Sequence, residues 1–196
     1  MVKKSNQSSS REVVLDTAEQ LFMARGYTAV TLKHIADHLG MKQASLYYHF
    51  PQGKEELYVE VILRHLERRR VRLKQLLAEA PPELEGRLQQ IGTWLIQQPP
   101  LNGSRMILTD LPELSPESSA RLEVAMYHCI FAPLEALFVE HRDQLHPALQ
   151  SDPGLIGGTF LSAIEALYTV KRYGSKTDEA LVADLTTLLL EGALKP

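Results

Sequence analysis

Residues 31–50 read TLKHIADHLGMKQASLYYHF, and the spacing of apolar positions here predicts two short helices joined by a tight turn. In the first half, Leu32, Ile35, Ala36 and Leu39 follow the i, i+3, i+4, i+7 pattern of a helix with one buried face. Thr31 stands where an N-cap hydroxyl is wanted, and Gly40 supplies the left-handed residue that ends such a helix. Met41 then drops an apolar side chain into the corner before the second helix begins. The whole is a helix-turn-helix.

Successive helical residues advance about 100°, so Leu46 and Phe50 fall on one side of the second helix and Ser45, Tyr48 and His49 on the other. One side packs and the other can read. Lys42, Gln43 and Ala44 occupy the first turn, the part of a recognition helix that reaches base edges in the major groove. Gln43 can pair with adenine, and Lys42 with guanine or a phosphate. An amphipathic surface helix whose tyrosines merely cover the core gives the same pattern, so at this point both readings stand.

The chain has 196 residues, 44% of them hydrophobic, enough to bury a core. Its single cysteine, Cys129, allows no disulfide within the chain, no apolar run is expected to approach membrane-spanning length, and MVKKSNQSSS at the start lacks the apolar segment of a secretory signal. A soluble, cytoplasmic protein is expected, its first ten residues a disordered arm. The net charge of -3 conceals an asymmetry. Residues 1–76 carry thirteen Lys and Arg against eight Asp and Glu, a net of +5, whereas residues 77–196 carry eight against sixteen, a net of -8. The basic end holds the helix-turn-helix, which suits a lobe drawn to a polyanion and predicts salt-sensitive binding.

Outward from the central motif, a helix is predicted from Ser10 to Arg25 with Val14, Ala18, Leu21 and Phe22 buried and Gly26 as its stop. After Pro51-Gln52-Gly53 a long helix runs from Lys54 to about Ala80, carrying Leu57, Tyr58, Val61 and Ile62 early and Leu73, Leu76 and Leu77 late. The basic run 68–74 lies on the order of 22 Å along that helix from Lys54, at about 1.5 Å per residue, and reads as a solvated or acid-paired face. Beyond Pro82 nothing alternates like a strand. Helices are expected over Leu84–Gln97, Arg105–Asp110, Ser115–Asp143, Pro153–Tyr173 and Thr177–Leu194, with Pro133 kinking the third and freeing a carbonyl near Cys129. The fold class is all-α, in three parts: an arm and helix-turn-helix over 1–53, a connecting helix over 54–80, and a C-terminal helical domain over 81–196, to which the family resemblance given below assigns effector binding and dimerisation.

Two features of the C-terminal part stand out. Gly154, Gly158, Ser162 and Ala166 make a stripe of small residues along one helix, and Leu181, Leu185, Leu188 and Leu189 an apolar stripe along the next. They serve either packing within one chain or a four-helix dimer interface. Trp94, Met106, Tyr127, Phe131, Phe138, Phe160 and Tyr168, with Arg105, Arg121 and His128 nearby, supply a core.

The combination Ala24-Arg25-Gly26-Tyr27, Thr31-Leu32, Ile35-Ala36, Leu39-Gly40 and Ser45-Leu46-Tyr47-Tyr48-His49-Phe50, followed by Lys54-Glu55, resembles the N-terminal domain of TetR family transcriptional regulators over about Arg11 to Val61. The resemblance implies a homodimer on a near-palindromic, double-stranded DNA operator, with Lys42, Gln43, Ala44 and Ser45 as base readers. Thr31, Lys33, Tyr47, Tyr48, His49 and Lys54 would grip phosphates or groove walls. Ala44 has no hydrogen-bonding group, so discrimination leans on Gln43 and Ser45. The resemblance also implies a cavity for a small, mostly apolar effector, for which the candidate lining is Trp94, Arg105, Met106, Arg121, Tyr127, His128, Phe131, Phe160 and Tyr168. It favours the interface reading of the two stripes, as does the reach of one short recognition helix.

The expected function is that of a ligand-responsive regulator, a repressor released from its operator by the effector. The alternative is a DNA-binding structural or cell-cycle factor on the same scaffold without an inducer. No nucleotide-binding, hydrolase or zinc-protease motif is present, so neither an enzyme nor a cofactor is expected. His34 and His38 have i, i+4 metal spacing but lack a third ligand, and His128 and Cys129, about 100° apart on a helix, do not face each other.

Overall fold

The computed structural model describes the backbone of residues 3–100 and 102–193. Among them every regular element is helical, in line with the all-α expectation. The residues gather into two compact units, one formed by 1–67 with 102–125 and the other by 68–101 with 126–196. The stretch 102–125 thus belongs with the helix-turn-helix, although nothing in its local sequence announces it.

In the first unit, α1 (Lys3–Ala29) begins upstream of Ser10, because no glycine or proline stops it, so the expected arm is helical from Lys3. Met1 and Val2 lie outside the described residues. Gly26, at φ 80° and ψ 175°, breaks its regularity at the predicted place. α2 (Leu32–His38) and α3 (Gln43–His49) follow, then α4 (Lys54–Glu79), whose residues up to Glu67 belong to this unit. Thr31 caps α2, and a reciprocal bond from the Thr31 N–H to His34 Nδ1 completes a capping box in which histidine fills the usual Glu or Gln role. Gly40 adopts φ 64°, and the Met41 N–H reaches back to the Ala36 carbonyl at 3.0 Å, closing α2 as a helix with a left-handed cap should.

Val14, Ala18, Phe22, Ile35, Leu46, Phe50, Leu57 and Val61 are fully buried, and they are the apolar faces of four helices meeting. Polar and ionic side-chain contacts then stitch α1 to α4. Arg11 makes a two-pronged contact with Glu60 at 2.5 Å per bond and lies 4.8 Å over the Phe50 ring; Arg64 takes Glu12 and Asp16; His65 meets Glu19 at 2.9 Å. The contact with Glu60 keeps the Arg11 guanidinium protonated beyond its ordinary range.

The chain returns to this unit through α6 (Gly103–Arg105), a π-helical turn over Met106–Asp110, a 3-10 turn over Leu111–Glu113, and α7 (Pro116–Met126) up to Ala125. Ser115 caps α7 as its sequence predicts, its Oγ accepting from the Ser118 N–H.

The second unit contains the last part of α4, α5 (Leu84–Gln97), α8 (Ala132–Glu140), α9 (Pro153–Val170) and α10 (Asp178–Ala193). Its core is Leu88, Ile91, Leu134, Phe138, Phe160, Ile164 and Val182. Gly92 lets α5 lie against α10, since a β-carbon there would stand 2.7 Å from Val182 Cγ1. The kink expected at Pro133 takes the form of a π-helical turn over Tyr127–Phe131. Pro133 donates no hydrogen bond and its ring crowds the carbonyl one turn back, and the backbone answers by widening: the Ala132 N–H bonds to the Tyr127 carbonyl five residues earlier. The π turn before Pro112 has the same form, with the Leu111 N–H on the Met106 carbonyl.

Two further expectations need amending. Arg69, read as part of a solvated or acid-paired face, is buried and donates to the Pro99 carbonyl at 2.5 Å. The stretch Pro116–Glu140, with 25 residues, is by length and composition apolar enough to cross a membrane, which the sequence reading did not credit to any run. Its Leu122, Met126, Leu134, Leu137 and Phe138 are buried, while Val124, Tyr127 and Val139 are exposed.

Candidate nucleic-acid interface

α3 is braced from beneath by Leu46 and Phe50, both fully buried, and this decides what its other side shows. Lys42, Gln43, Ala44 and Ser45 are exposed, as are Tyr47 at 47% and Tyr48 at 70%. His49 is half-buried, its Nε2 lying 3.5 Å from Ser10 Oγ. The outward edge is therefore an uninterrupted polar and aromatic strip, with the Tyr48 and His49 rings edge to face at 5.4 Å. Seven residues of helix measure about 10 Å, on the order of three base-pair steps at 3.4 Å.

The flanking candidates behave differently from one another. Thr31 and Lys33 are exposed, although the Thr31 hydroxyl is occupied in capping α2. Lys54 turns inward: its Nζ donates to the Tyr27 carbonyl at 3.1 Å and sits 3.8 Å over the Tyr27 ring. Burial lowers its pKa, against the pull of Glu113 and Asp110. It thus ties α4 to the end of α1.

A second group of residues, with no signature in its local sequence, braces the unit that carries α3. Asp110 is 1% exposed; its Oδ1 accepts the Tyr27 N–H at 2.9 Å and its Oδ2 accepts the Tyr58 hydroxyl at 3.2 Å. Burial and the neighbouring Asp110 charge push the Tyr58 phenol far above its ordinary pKa, so Tyr58 stays a donor. Arg105 lies beside this carboxylate, Nε 3.6 Å from Oδ2, and donates to the Phe22 and Met23 carbonyls at 3.3 and 3.0 Å.

The residues proposed to line an effector cavity are divided between the units. Arg105, Met106 and Arg121 belong to the first, where Met106 is buried and Arg121 borders a polar cleft of about 640 Å³ with Glu55, Glu56 and Glu60. In the second, Phe160 is fully buried core, while Trp94 and Phe131 are partly buried. The Tyr168 hydroxyl lies 2.6 Å from both the Leu95 and Gln98 carbonyls at the end of α5. Tyr127 and His128 are exposed, the Tyr127 hydroxyl donating to Glu135.

In the two stripes, Gly154 and Gly158 are half-buried, Ser162 and Ala166 exposed, Leu181 buried, Leu185 and Leu189 half-buried, and Leu188 72% exposed. At the neighbouring Gly157, α9 lies close on α8 within the chain, where a β-carbon would stand at ordinary contact distance, 3.4 Å, from the Glu135 nitrogen. Leu155, Ile156, Thr159, Ala163, Leu185 and Leu188 contribute to an apolar groove of about 400 Å³ along α9 and α10.

The family model for bacterial regulatory proteins of the tetR family matches residues 14–61, the span from the buried face of α1 into α4. The HTH-type transcriptional regulator LmrA of Bacillus subtilis (strain 168) is 45% identical over 53 residues, 27% of this chain and 28% of LmrA. The HTH-type transcriptional repressor KstR2 of Mycolicibacterium smegmatis is 37% identical over 81 residues, 41% of this chain and 39% of KstR2. The chain thus spans well under half the length of these curated relatives. Over nearly its full length it shares a fold with a TetR-family transcriptional regulator from Bordetella parapertussis 12822, at a TM-score of 0.72 and 23% identity, covering 93% of this chain and 94% of the other. AibR, solved with isovaleryl coenzyme A and operator DNA, is similar at a TM-score of 0.67 and 24% identity, with 92% and 97% covered. With the helix order, the Gly26 break and the Gly40 turn all in place, residues 14–61 match the tetR family of bacterial regulatory proteins in both sequence and local structure.

Proposed function

We propose that this protein is a homodimeric, DNA-binding transcriptional repressor that leaves a palindromic operator when a small effector binds. The observation that carries the reading is the exposed edge of α3 from Gln43 to Tyr48, held outward by the burial of Leu46 and Phe50. In a major groove, Gln43 and Ser45 offer hydrogen bonds to base edges and Ala44 an apolar contact for a thymine methyl. Lys33, Lys42, Tyr47 and Tyr48 flank them for the phosphate backbone. An edge about three base pairs long carries little discrimination alone, so two copies on adjacent half-sites are needed. The apolar groove along α9 and α10, with Leu155 and Leu188 exposed, supports a four-helix contact between copies.

For the effector, support comes from AibR, whose structure holds isovaleryl coenzyme A and operator DNA. In this chain Trp94 and Phe131, only partly buried in the second unit, would contribute to holding a small, mostly apolar molecule. Release follows if that molecule binds the conformation with low DNA affinity more tightly than the other. The site of action is the cytoplasm.

The test is selection of a duplex from a random library by the wild-type protein, followed by binding titrations over a range of salt. Gln43→Ala should cost about 1–3 kcal/mol and relax preference at one base position. Lys33→Ala should weaken all sequences alike and lower the salt slope by about one. If Gln43→Ala and Tyr48→Ala both bind the selected duplex like wild type, α3 is not the reading helix.

A further inference from the structure

We infer that Asp110 and Arg105, which lie far along the chain from the helix-turn-helix, are positioning residues for DNA binding, fixing how α2 and α3 are presented through their hold on the end of α1. The inference rests on the proposed DNA-binding function. Its physical basis is how Tyr27 is held. The Tyr27 N–H is bound by Asp110 Oδ1 and its carbonyl by Lys54 Nζ, while its ring contacts Tyr58 at 4.9 Å and Phe22 at 6.4 Å. Both backbone groups and the ring of Tyr27 are thus secured by separate segments of chain. Four residues later Thr31 starts α2, and the intervening turn is closed by the Val30 N–H on the Tyr27 carbonyl. The direction in which the chain enters the helix-turn-helix is therefore set at Tyr27.

Arg105 completes the hold from the other side of Gly26. Its two bonds go to the Phe22 and Met23 carbonyls, and the second replaces the Tyr27 N–H, which Asp110 has drawn away from the helix. Gly26 itself admits the carboxylate, since a β-carbon there would stand 2.9 Å from Asp110 Oδ1 and 3.3 Å from Arg105 Nε. The carboxylate is almost wholly removed from water, so its bonds are made in a medium where each is strong and its loss is felt. None of these groups lies on the exposed edge of α3, so their effect on DNA passes through position and not through contact.

The sign of one substitution separates this role from simple electrostatics. Asp110→Asn removes a negative charge from the DNA-binding unit, which by long-range attraction alone would tighten binding to a polyanion. A positioning role predicts the opposite, a loss of tenfold or more on the duplex selected by the wild-type protein. The measurement is made at fixed salt, well below each variant's melting temperature, with helix content matched by circular dichroism. Tyr58→Phe, which removes one hydroxyl without changing charge, should lose severalfold and decides the matter if Asp110→Asn fails to fold. Amide exchange at Tyr27 should speed up in both. Unchanged or tighter binding by the folded variants, on a duplex the wild type selects, overturns the positioning role alone; failure of the wild type to select any duplex overturns the DNA-binding function beneath it.

Discussion

Replacing Gly26 by alanine should be the most costly single-methyl insertion in the first unit, and its cost can be worked out beside a matched control. Gly26 sits at φ 80° and ψ 175°, a region essentially restricted to glycine, where any other residue costs about 1–3 kcal/mol. The new β-carbon would also meet Asp110 Oδ1 at 2.9 Å. That oxygen cannot retreat without stretching its bond to the Tyr27 N–H, and a hydrogen bond to a charged acceptor is worth about 1.5–3 kcal/mol. Together these give about 3–5 kcal/mol. Gly40→Ala is the control: at φ 64° it bears the left-handed cost of about 1–2 kcal/mol, but no heavy atom lies within 4 Å of its β-carbon. In urea denaturation followed by circular dichroism, the gap of about 2–3 kcal/mol should separate the two midpoints by about 1 M at a common slope near 2–3 kcal/mol/M. Coincident midpoints, or a lower one for Gly40→Ala, would refute the view that Asp110 and the end of α1 are tightly fitted.

Two other perturbations probe separate regions. Leu188→Asp puts a charge at a site 72% exposed, so it should leave helix content unchanged while converting the proposed dimer to a monomer in light scattering; a dimer that persists would remove α10 from the proposed interface. Glu55 is held below the ordinary carboxylate range, first by the Ser115 hydroxyl at 2.5 Å and then by Ser118. That contribution is present above the unfolded carboxylate pKa of about 4.3 and fades as pH falls through the lower folded value. The stability difference between wild type and Ser115→Ala should thus narrow from pH 7 to pH 3, leaving about 1 kcal/mol for the lost cap of α7, and a pH-independent difference would contradict the pairing.

What the sequence disclosed about this molecule was what acts over a few residues. The Thr31 cap, the stop at Gly26, the turn at Gly40, the limits of α5 and the Ser115 cap all follow from side chains meeting backbone within one or two turns. The buried and exposed sides of α3 follow from helical periodicity for the same reason. The inward turn of Lys54 was hidden because the Tyr27 carbonyl it seeks is 27 positions away. Asp110 was hidden more deeply still, 83 positions from Tyr27 and inside a stretch whose pattern suits any short helix. His34 drew notice for its spacing from His38, yet its ring nitrogen serves the backbone at Thr31. Pro133 announced a disturbance, but whether a helix bends or widens depends on what packs around it, and that belongs to the folded chain.

The return of residues 102–125 to the first unit bears on how this protein can be taken apart. A fragment cut after Glu67 would keep every residue matched by the family model and still lack the acceptor for the Tyr27 amide and the donor for the Phe22 and Met23 carbonyls. Chimeras that graft this reading head onto another body therefore have to carry a second, non-adjacent piece of chain, or find in the recipient a carboxylate and a guanidinium that do the same work.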